Sequence, residues 1–272
     1  TGTVDSIPLI ASSIMSKKIA AGCDAIVLDV KTGSGALLQS LDDSFALADA
    51  MVKIGVRAGR NVIAVITDMD QPLGMAVGNA LEVKEAVMVL KNELEGPLKE
   101  LSLYLAANML LAAKACRDTD QGLTMADRAL KSGRALAKLG DMIRNQGGQA
   151  EIIENLSLLP QAKHIVPVKA ERDGYVSSID TLKVGIGSLL TGAGRSKKDD
   201  KIDHAAGIVM HKRVGDRVQK GDTLAEIHTG NAGIIEEVSG MLKNAILIKA
   251  EKPVLRPLIL GKVTKNGIEK YV

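Results

Sequence analysis

Apolar positions at helical spacing open the chain, and a continuous apolar run follows them. The first helix is expected to be capped by Asp5 or Ser6, with Pro8 in its first turn and Gly22 placed to end it. The run AIVLDV at 25–30 is nearly all apolar, which is typical of a strand covered on both faces. The chain therefore begins with a helix followed by a buried strand.

The same alternation continues beyond this strand. A helix is predicted from Ser40 to about Arg57, and a second buried strand at 62–69. Asn79 is the expected N-cap of a further helix, with Glu82 completing a capping box. Three later segments show helical apolar spacing, namely 97–116, 124–132 and 134–145. This order predicts an α/β region with a parallel or mixed sheet flanked by helices.

From about Lys169 the pattern changes to short β-like runs separated by glycine-bearing turns, and a domain boundary is predicted near residue 165. GYVSSI, GIVMHK, DTLAEI and AILIKA each read as short strands. The segment VGDRVQKGDTLAEI at 214–227 predicts a strand–turn–strand unit, in which Gly215 and Gly221 supply the turns. A smaller β-rich α+β domain is therefore expected after the α/β region.

Composition narrows the possible partners. The chain has 272 residues, is 46% hydrophobic and 25% charged, and has a formal net charge of +3. Only 1% of its residues are aromatic, which argues against a platform for stacked nucleic-acid bases. No apolar run approaches the roughly 20 residues of a membrane span. Cys23 and Cys116 share no motif, so a reduced, cytoplasmic protein is expected.

Ser13 and Lys17 are the first candidate functional pair. They are spaced i, i+4, so they share one face of the predicted helix. A hydroxyl and an ammonium on that face can bind a ligand carbonyl or anion. The alternative is an ordinary helix with an exposed lysine and a tolerated serine. Spacing alone leaves both interpretations open.

Two further signals lie at the carboxyl ends of the predicted strands, where ligands bind in open α/β sheets. The loop KTGSG at 31–35 either binds phosphate through its backbone or simply connects strand to helix, since it lacks the spacing of a P-loop or dinucleotide site. Asp68 and Asp70 either hold a divalent ion or act as caps. The four histidines all lie at or beyond His164, so the α/β region has no histidine for acid–base work.

Longer motifs point to a family. The segment TVDSIPLIASSIMSKKIAAGCDAIVLDVKTGSGA at 3–36 closely resembles the signature region of pyrimidine-nucleoside and thymidine phosphorylases. The resemblance continues through TDMDQPLGMAVGNALEVKEA at 67–86 and resumes in DGYV, GAGRSKKDDKID and AAGIVMHKRVGDRVQKGDTLAEIH between residues 173 and 228. It covers nearly the whole chain.

The resemblance implies a fold and an activity. The fold is that of the nucleoside phosphorylase and class II phosphoribosyltransferase type, divided as 1–21 (a helix of a helical domain), 22–164 (α/β) and 165–272 (β-rich). The activity is reversible cleavage of uridine, thymidine or deoxyuridine by inorganic phosphate, giving the free base and a pentose 1-phosphate. In this family the residues matching Ser13 and Lys17 contact the base, and the parent enzyme is a homodimer.

The resemblance also implies a monovalent cation, usually potassium. Its ligands in this part of the family fall on Leu73 and Ala76, through backbone carbonyls, and on the Glu85 carboxylate. Such hard oxygen donors suit this kind of ion.

The family's remaining functional residues are not found in this sequence. A base-contacting arginine would come just before Thr1, and the active-site histidine and phosphate-binding residues earlier still. No catalytic residue is therefore assigned within the 272 residues, and the isolated chain is expected to be inactive while its full-length parent is active. Gly35-Ala36-Leu37 also stands where relatives often have a phenylalanine, which weakens aromatic packing there.

Other functions stay open. The hairpin pattern at 214–227 also resembles half of a biotinyl or lipoyl carrier domain, with Lys212 as the only faint candidate for modification. An anthranilate phosphoribosyltransferase-like enzyme would share the broader fold and chemistry. A non-catalytic remnant of a phosphorylase is the third alternative.

Overall fold

A computed structural model describes residues 6–272, and the expected cap Asp5 lies outside that range. The described helices are α1 (Ile7–Ala20), α2 (Leu41–Arg57), α3 (Asn79–Leu90), α4 (Pro97–Ala112), α5 (Thr119–Lys131), α6 (Arg134–Asn145), α7 (Thr181–Ser188) and α8 (Ile235–Ala245). The described strands are β1 (Ala25–Thr32), β2 (Asn61–Asp68), β3 (Ala76–Gly78), β4 (His164–Lys169), β5 (Gly174–Ile179), β6 (Gly207–Met210), β7 (Arg217–Val218), β8 (Thr223–Thr229), β9 (Ile246–Lys249), β10 (Ile259–Thr264) and β11 (Gly267–Lys270). Short 3₁₀ turns (Ala150–Ile153, Leu156–Leu158 and Ala232–Ile234) and a π-helical turn (Leu189–Ala193) complete the elements.

Among the described residues, one compact unit comprises 6–69, Lys99–Arg128 and Arg256–Val272. Its sheet has the order β1-β2-β10-β11, with β1 and β2 parallel and the other two pairs antiparallel, so the predicted mixed sheet is confirmed. The strands β1 and β2 match the two predicted apolar runs. The strands β10 and β11, which complete the sheet, come from the last residues of the chain.

Helices α1 and α2 cover one face of this sheet. Ala11 and Met15 of α1 join Met51 of α2 and Ile66 of β2 in one buried cluster. Helix α2 begins as predicted, because the Ser40 side chain accepts a hydrogen bond from the Asp43 N–H at 3.4 Å. The opposite face of the sheet is covered by residues of α4, which pack against Ile63 and Val65 of β2.

The second compact unit comprises Asp70–Leu98 and Ala129–Leu255. It contains two antiparallel sheets of order β3-β6-β8-β4 and β7-β5-β9. Helices α7 and α8 contribute Val184, Val238 and Leu242 to the buried core between these strands. The predicted β-rich α+β region is therefore present, with more helix than its sequence pattern indicated.

The start of α3 differs from the predicted capping box. Gly78 occupies the N-cap position, and Asn79 is the first helical residue. Glu82 Oε1 accepts a hydrogen bond from the Gly78 N–H at 3.0 Å, so the glutamate acts as expected on a cap one residue earlier. The Asn79 side chain instead donates to the Ala193 carbonyl at 2.8 Å, a contact too distant in sequence for a local pattern to reveal.

The two units are interleaved along the chain, whereas the predicted domains 1–21, 22–164 and 165–272 are consecutive. Those domain bounds stay a prediction. Among the described residues, none of the helices has the length and apolarity needed to cross a membrane.

Candidate active site

Helix α1 presents Ser13 and Lys17 on its exposed face. Both side chains are exposed, whereas Ala11 and Met15 lie on the opposite face and are fully buried. The Ser13 carbonyl accepts a hydrogen bond from the Ser16 hydroxyl at 3.2 Å. Burial of the apolar face thus fixes the helix, and its i, i+4 spacing leaves a hydroxyl and an ammonium side by side toward solvent.

A polar network that the sequence analysis missed lies near the carboxyl ends of β1 and β2. Lys31 Nζ lies 2.7 Å from Asp29 Oδ2 and donates to the Thr67 hydroxyl at 3.0 Å. Thr67 in turn donates to Asp29 Oδ1 at 2.5 Å. The register of the parallel strands pairs Lys31 with Thr67, so this network follows from topology and not from spacing within one segment.

The loop at 31–35 uses its own backbone donors. The Gly35 N–H donates to the Met69 carbonyl at 3.0 Å, and the Ala36 N–H to the Gly33 carbonyl at 3.0 Å. The Met69 N–H closes the connection by donating to the Thr32 carbonyl at 2.7 Å. Because the Gly35 N–H already has an acceptor and the loop is tied to Met69 at both ends, these contacts favour the interpretation of the loop as a tight connection over that of a phosphate cradle.

Asp68 is held by an arginine. Its Oδ1 atom lies 3.2 Å from Arg256 Nη1, and its N–H donates to the Leu258 carbonyl at 2.9 Å. Among the described residues, no group of three or more His, Cys, Asp or Glu side chains is arranged to hold a metal ion. The structure thus gives the Asp68 carboxylate an ion-pair role in the α/β unit.

Of the residues predicted as cation ligands, Leu73 precedes β3, Ala76 is the first residue of β3 and Glu85 lies on α3. Glu85 of α3 accepts hydrogen bonds from the Met75 N–H at 2.6 Å and from the Ala76 N–H at 3.1 Å. A Cβ at Gly74 would clash with the Glu85 carboxylate, so a larger residue there would require this flexible side chain to move. The Leu73 carbonyl accepts from Arg213 Nη1 at 3.1 Å.

Arg213 was not singled out by the sequence analysis. Burial lowers the pKa of its guanidinium from the ordinary value, while the carboxylates of Asp216 and Glu85 oppose that shift. An arginine remains protonated in such a setting. A positive charge therefore lies among the carbonyl oxygens of this loop.

Lys212, the candidate carrier lysine, is engaged in the fold. Its Nζ lies 3.3 Å from Asp222 Oδ2, and its side chain is 25% exposed. A carrier lysine must project freely from the tip of a hairpin to reach two active sites. This placement therefore does not favour a biotinyl or lipoyl carrier.

Comparison with known proteins gives two family matches. Residues 1–136, half of the chain, match the model described as the a/b domain of the glycosyl transferase family. Residues 175–249 match the model of the pyrimidine nucleoside phosphorylase C-terminal domain.

The individual relatives are pyrimidine-nucleoside phosphorylases. A pyrimidine-nucleoside phosphorylase of Staphylococcus epidermidis is 51% identical over 257 residues, which are 94% of this chain and 59% of the relative. One from Staphylococcus aureus is 47% identical over 263 residues, which are 97% of this chain and 60% of the relative. The chain thus spans about 60% of the length of these curated relatives. The model over half of the chain shows that the chain belongs to the glycosyl transferase family with this a/b domain, and these relatives are pyrimidine-nucleoside phosphorylases.

Proposed function

We propose that the protein containing this chain catalyses the reversible phosphorolysis of pyrimidine nucleosides such as uridine, thymidine and deoxyuridine. A phosphate oxygen forms a bond to the anomeric carbon of the sugar while the glycosidic C–N bond breaks. The bonding electron pair leaves with the pyrimidine, which then takes up a proton. The products are the free base and a pentose 1-phosphate. Similarity to pyrimidine-nucleoside phosphorylases over 94% of the chain, together with the match to their C-terminal domain, is the observation that carries this proposal.

Ser13 and Lys17 are proposed to contact the pyrimidine. The departing base gains negative charge on its ring nitrogen and carbonyl oxygens, so donors aimed at those oxygens stabilise the transition state more than the ground state. The exposed face of α1 offers two such donors one helical turn apart, and the buried side chain of Met15 anchors the helix beneath them. This placement supports a binding role for both side chains.

A monovalent cation such as potassium is proposed to bind through Leu73, Ala76 and Glu85. Carbonyl and carboxylate oxygens are the donors that such an ion prefers, and the Leu73 carbonyl, which accepts from Arg213, has a second lone pair to offer. When bound, the cation would add positive charge that stabilises the loop preceding α3. The chain's own contribution is to hold the Glu85 carboxylate against two backbone N–H groups, which fixes its orientation.

The activity is tested by incubating the gene's full-length product with uridine or thymidine, with and without inorganic phosphate. Chromatography should show free base and pentose 1-phosphate only when phosphate is present. Release of base without phosphate, as in hydrolysis, would contradict the proposal. Turnover of anthranilate with phosphoribosyl pyrophosphate would instead identify the alternative enzyme.

The role of Lys17 is tested by the variant Lys17→Met, with Lys18→Met as a matched control on the same helix turn. Loss of one transition-state donor should lower kcat/KM on the order of 100-fold. The control, whose exposed lysine points elsewhere around the helix, should stay near the unmodified enzyme. Equal effects of the two substitutions would argue that only the charge of α1 matters.

The cation is tested by thermal unfolding in potassium chloride against choline chloride. The unmodified protein should be stabilised by potassium, and Glu85→Gln should abolish that stabilisation. Glu82→Gln, three residues earlier on the exposed side of α3, should retain it. A potassium effect that survives in Glu85→Gln would show that the ion binds elsewhere.

Two expectations about the cellular setting complete the proposal. Cys23 and Cys116 are both free thiols, which fits a protein that works in the reducing cytoplasm. The homodimer implied by the family resemblance stays a prediction, and the molar mass of the full-length product in solution would test it.

A further inference from the structure

Arg213 connects two segments that are about 140 residues apart in the chain. Its Nη1 donates to the Leu73 carbonyl at 3.1 Å, and its Nη2 donates to the Pro72 carbonyl at 3.1 Å. The adjacent Val214 N–H donates to Gln71 Oε1 at 3.1 Å. The planar guanidinium thus engages two consecutive carbonyls with two separate nitrogens, which the single ammonium of a lysine reproduces poorly.

The arginine is itself held firmly. Its backbone N–H donates to Asp216 Oδ2 at 2.7 Å. The turn passes through Gly215, whose φ of 95° is unfavourable for other residues, and the Gly215 N–H donates to the Val176 carbonyl at 2.8 Å. The guanidinium is therefore presented from a turn anchored to a core strand.

A second charged side chain holds the same loop through its N–H groups. Glu85 accepts from the Met75 and Ala76 N–H groups, while Arg213 takes the carbonyls of the two residues before Gly74. Two side chains of opposite charge thus bind two N–H groups and two carbonyls of this short loop. Hydrogen bonds to charged groups are stronger than those between neutral groups.

We propose that Arg213 is a positioning residue that fixes the loop Gln71–Ala76, and thereby sets the geometry of the oxygens that bind the cation. The part concerning the ion rests on the proposed function, whereas the part concerning the loop stands on the hydrogen bonds alone. Arg213 contacts the loop and needs no contact with substrate. A residue of the β-rich region thereby controls an ion site built on the loop before α3.

The proposal is tested by hydrogen exchange in Arg213→Met and Arg213→Lys. The control is Arg217→Met, which removes the same charge from an exposed side chain four residues later. In Arg213→Met, peptides covering 71–78 should exchange at least about tenfold faster, because the loop opens once its carbonyls lose the guanidinium. Peptides covering β2 should be unchanged. Arg213→Lys should give an intermediate rate, and Arg217→Met the unmodified rate.

A second readout concerns the ion. The potassium concentration that gives half of the maximal thermal stabilisation should rise at least about tenfold in Arg213→Met and less in Arg213→Lys. Unchanged exchange at 71–78 in Arg213→Met would overturn the proposal, and so would faster exchange of equal size throughout the chain. If the unmodified protein shows no response to potassium, the proposed cation site fails, while the exchange rates still decide the role of Arg213.

Discussion

Replacing Gly55 with alanine tests how α2 supports the helix that carries Ser13 and Lys17. Gly55 is buried in α2, facing β2. A Cβ there would clash with a methyl group of Val62 and would lie 3.0 Å from Met15 Cε. Met15 is the fully buried anchor of α1, so the added methyl group must displace either the strand or that helix.

Two opposing effects set the magnitude. Overpacking a well-filled core costs about 1–3 kcal/mol. Alanine gains about 0.8–1 kcal/mol over glycine within a helix. Since the clash is with a core side chain close to the backbone, we expect the cost to prevail and Gly55→Ala to lower the free energy of unfolding by up to about 2 kcal/mol.

Gly240→Ala is the matched control. Gly240 is exposed in α8, and a Cβ there would have no neighbour within 4 Å. This variant should gain up to about 1 kcal/mol from helix propensity alone. The difference between the two variants therefore isolates the packing cost, about 1–3 kcal/mol.

Urea unfolding followed by circular dichroism at helical wavelengths measures both variants, since the chain has no tryptophan for fluorescence. Gly55 and Gly240 lie in different compact units. The change in the free energy of unfolding of each variant is therefore taken relative to the unmodified protein, and these two changes are compared. A Gly55→Ala variant as stable as the Gly240→Ala variant would refute the packing argument. It would mean that α1 and β2 adjust without cost.

Two further predictions concern stability. Burial lowers the pKa of His228, with Lys84 and His211 adding to the effect and Glu226 opposing it, so the folded state binds the proton less readily than the unfolded state. This penalty is absent above about pH 6.5 and grows as the pH falls below that value. Urea unfolding at about pH 8 and at about pH 5 measures how much stability is lost on acidification. The loss should be smaller in His228→Gln than in the unmodified protein. In the same assay, Ser40→Ala should lower the free energy of unfolding by about 1 kcal/mol. Ser40→Gly should lower it by only a few tenths of a kcal/mol, because glycine is itself an acceptable N-cap. Equal losses in the two variants would contradict the capping role of Ser40.

Local sequence patterns predicted those helices and strands that are marked by a cap or by an apolar run within a few neighbouring residues. The Ser40 cap marked the start of α2, and the apolar runs at 25–30 and 62–69 marked the two parallel strands. Helix α8 was missed although Val238, Leu242 and Ala245 are spaced for one buried face. Helix α7 was harder to recognise, because the two glycines in TLKVGIGS weaken its helical pattern.

Contacts between segments that are far apart in the sequence could not be predicted from local patterns. The strand β10 pairs with β2 across almost 200 residues, and no local signal indicates which strand will receive it. The same holds for Arg213, whose partners Pro72 and Leu73 are not near it in sequence. Ser13 and Lys17 illustrate the opposite case: helical spacing placed them together, and family resemblance suggested their purpose.

The central proposal is that Ser13 and Lys17 of α1 contact the pyrimidine in a nucleoside phosphorylase site. The most direct measurement is phosphate-dependent release of uracil from uridine by the full-length product, compared between the unmodified enzyme and Lys17→Met. We expect release that requires phosphate and a loss of kcat/KM on the order of 100-fold in the variant. Phosphate-dependent release at an unchanged kcat/KM in Lys17→Met would contradict the assignment of this helix to the site.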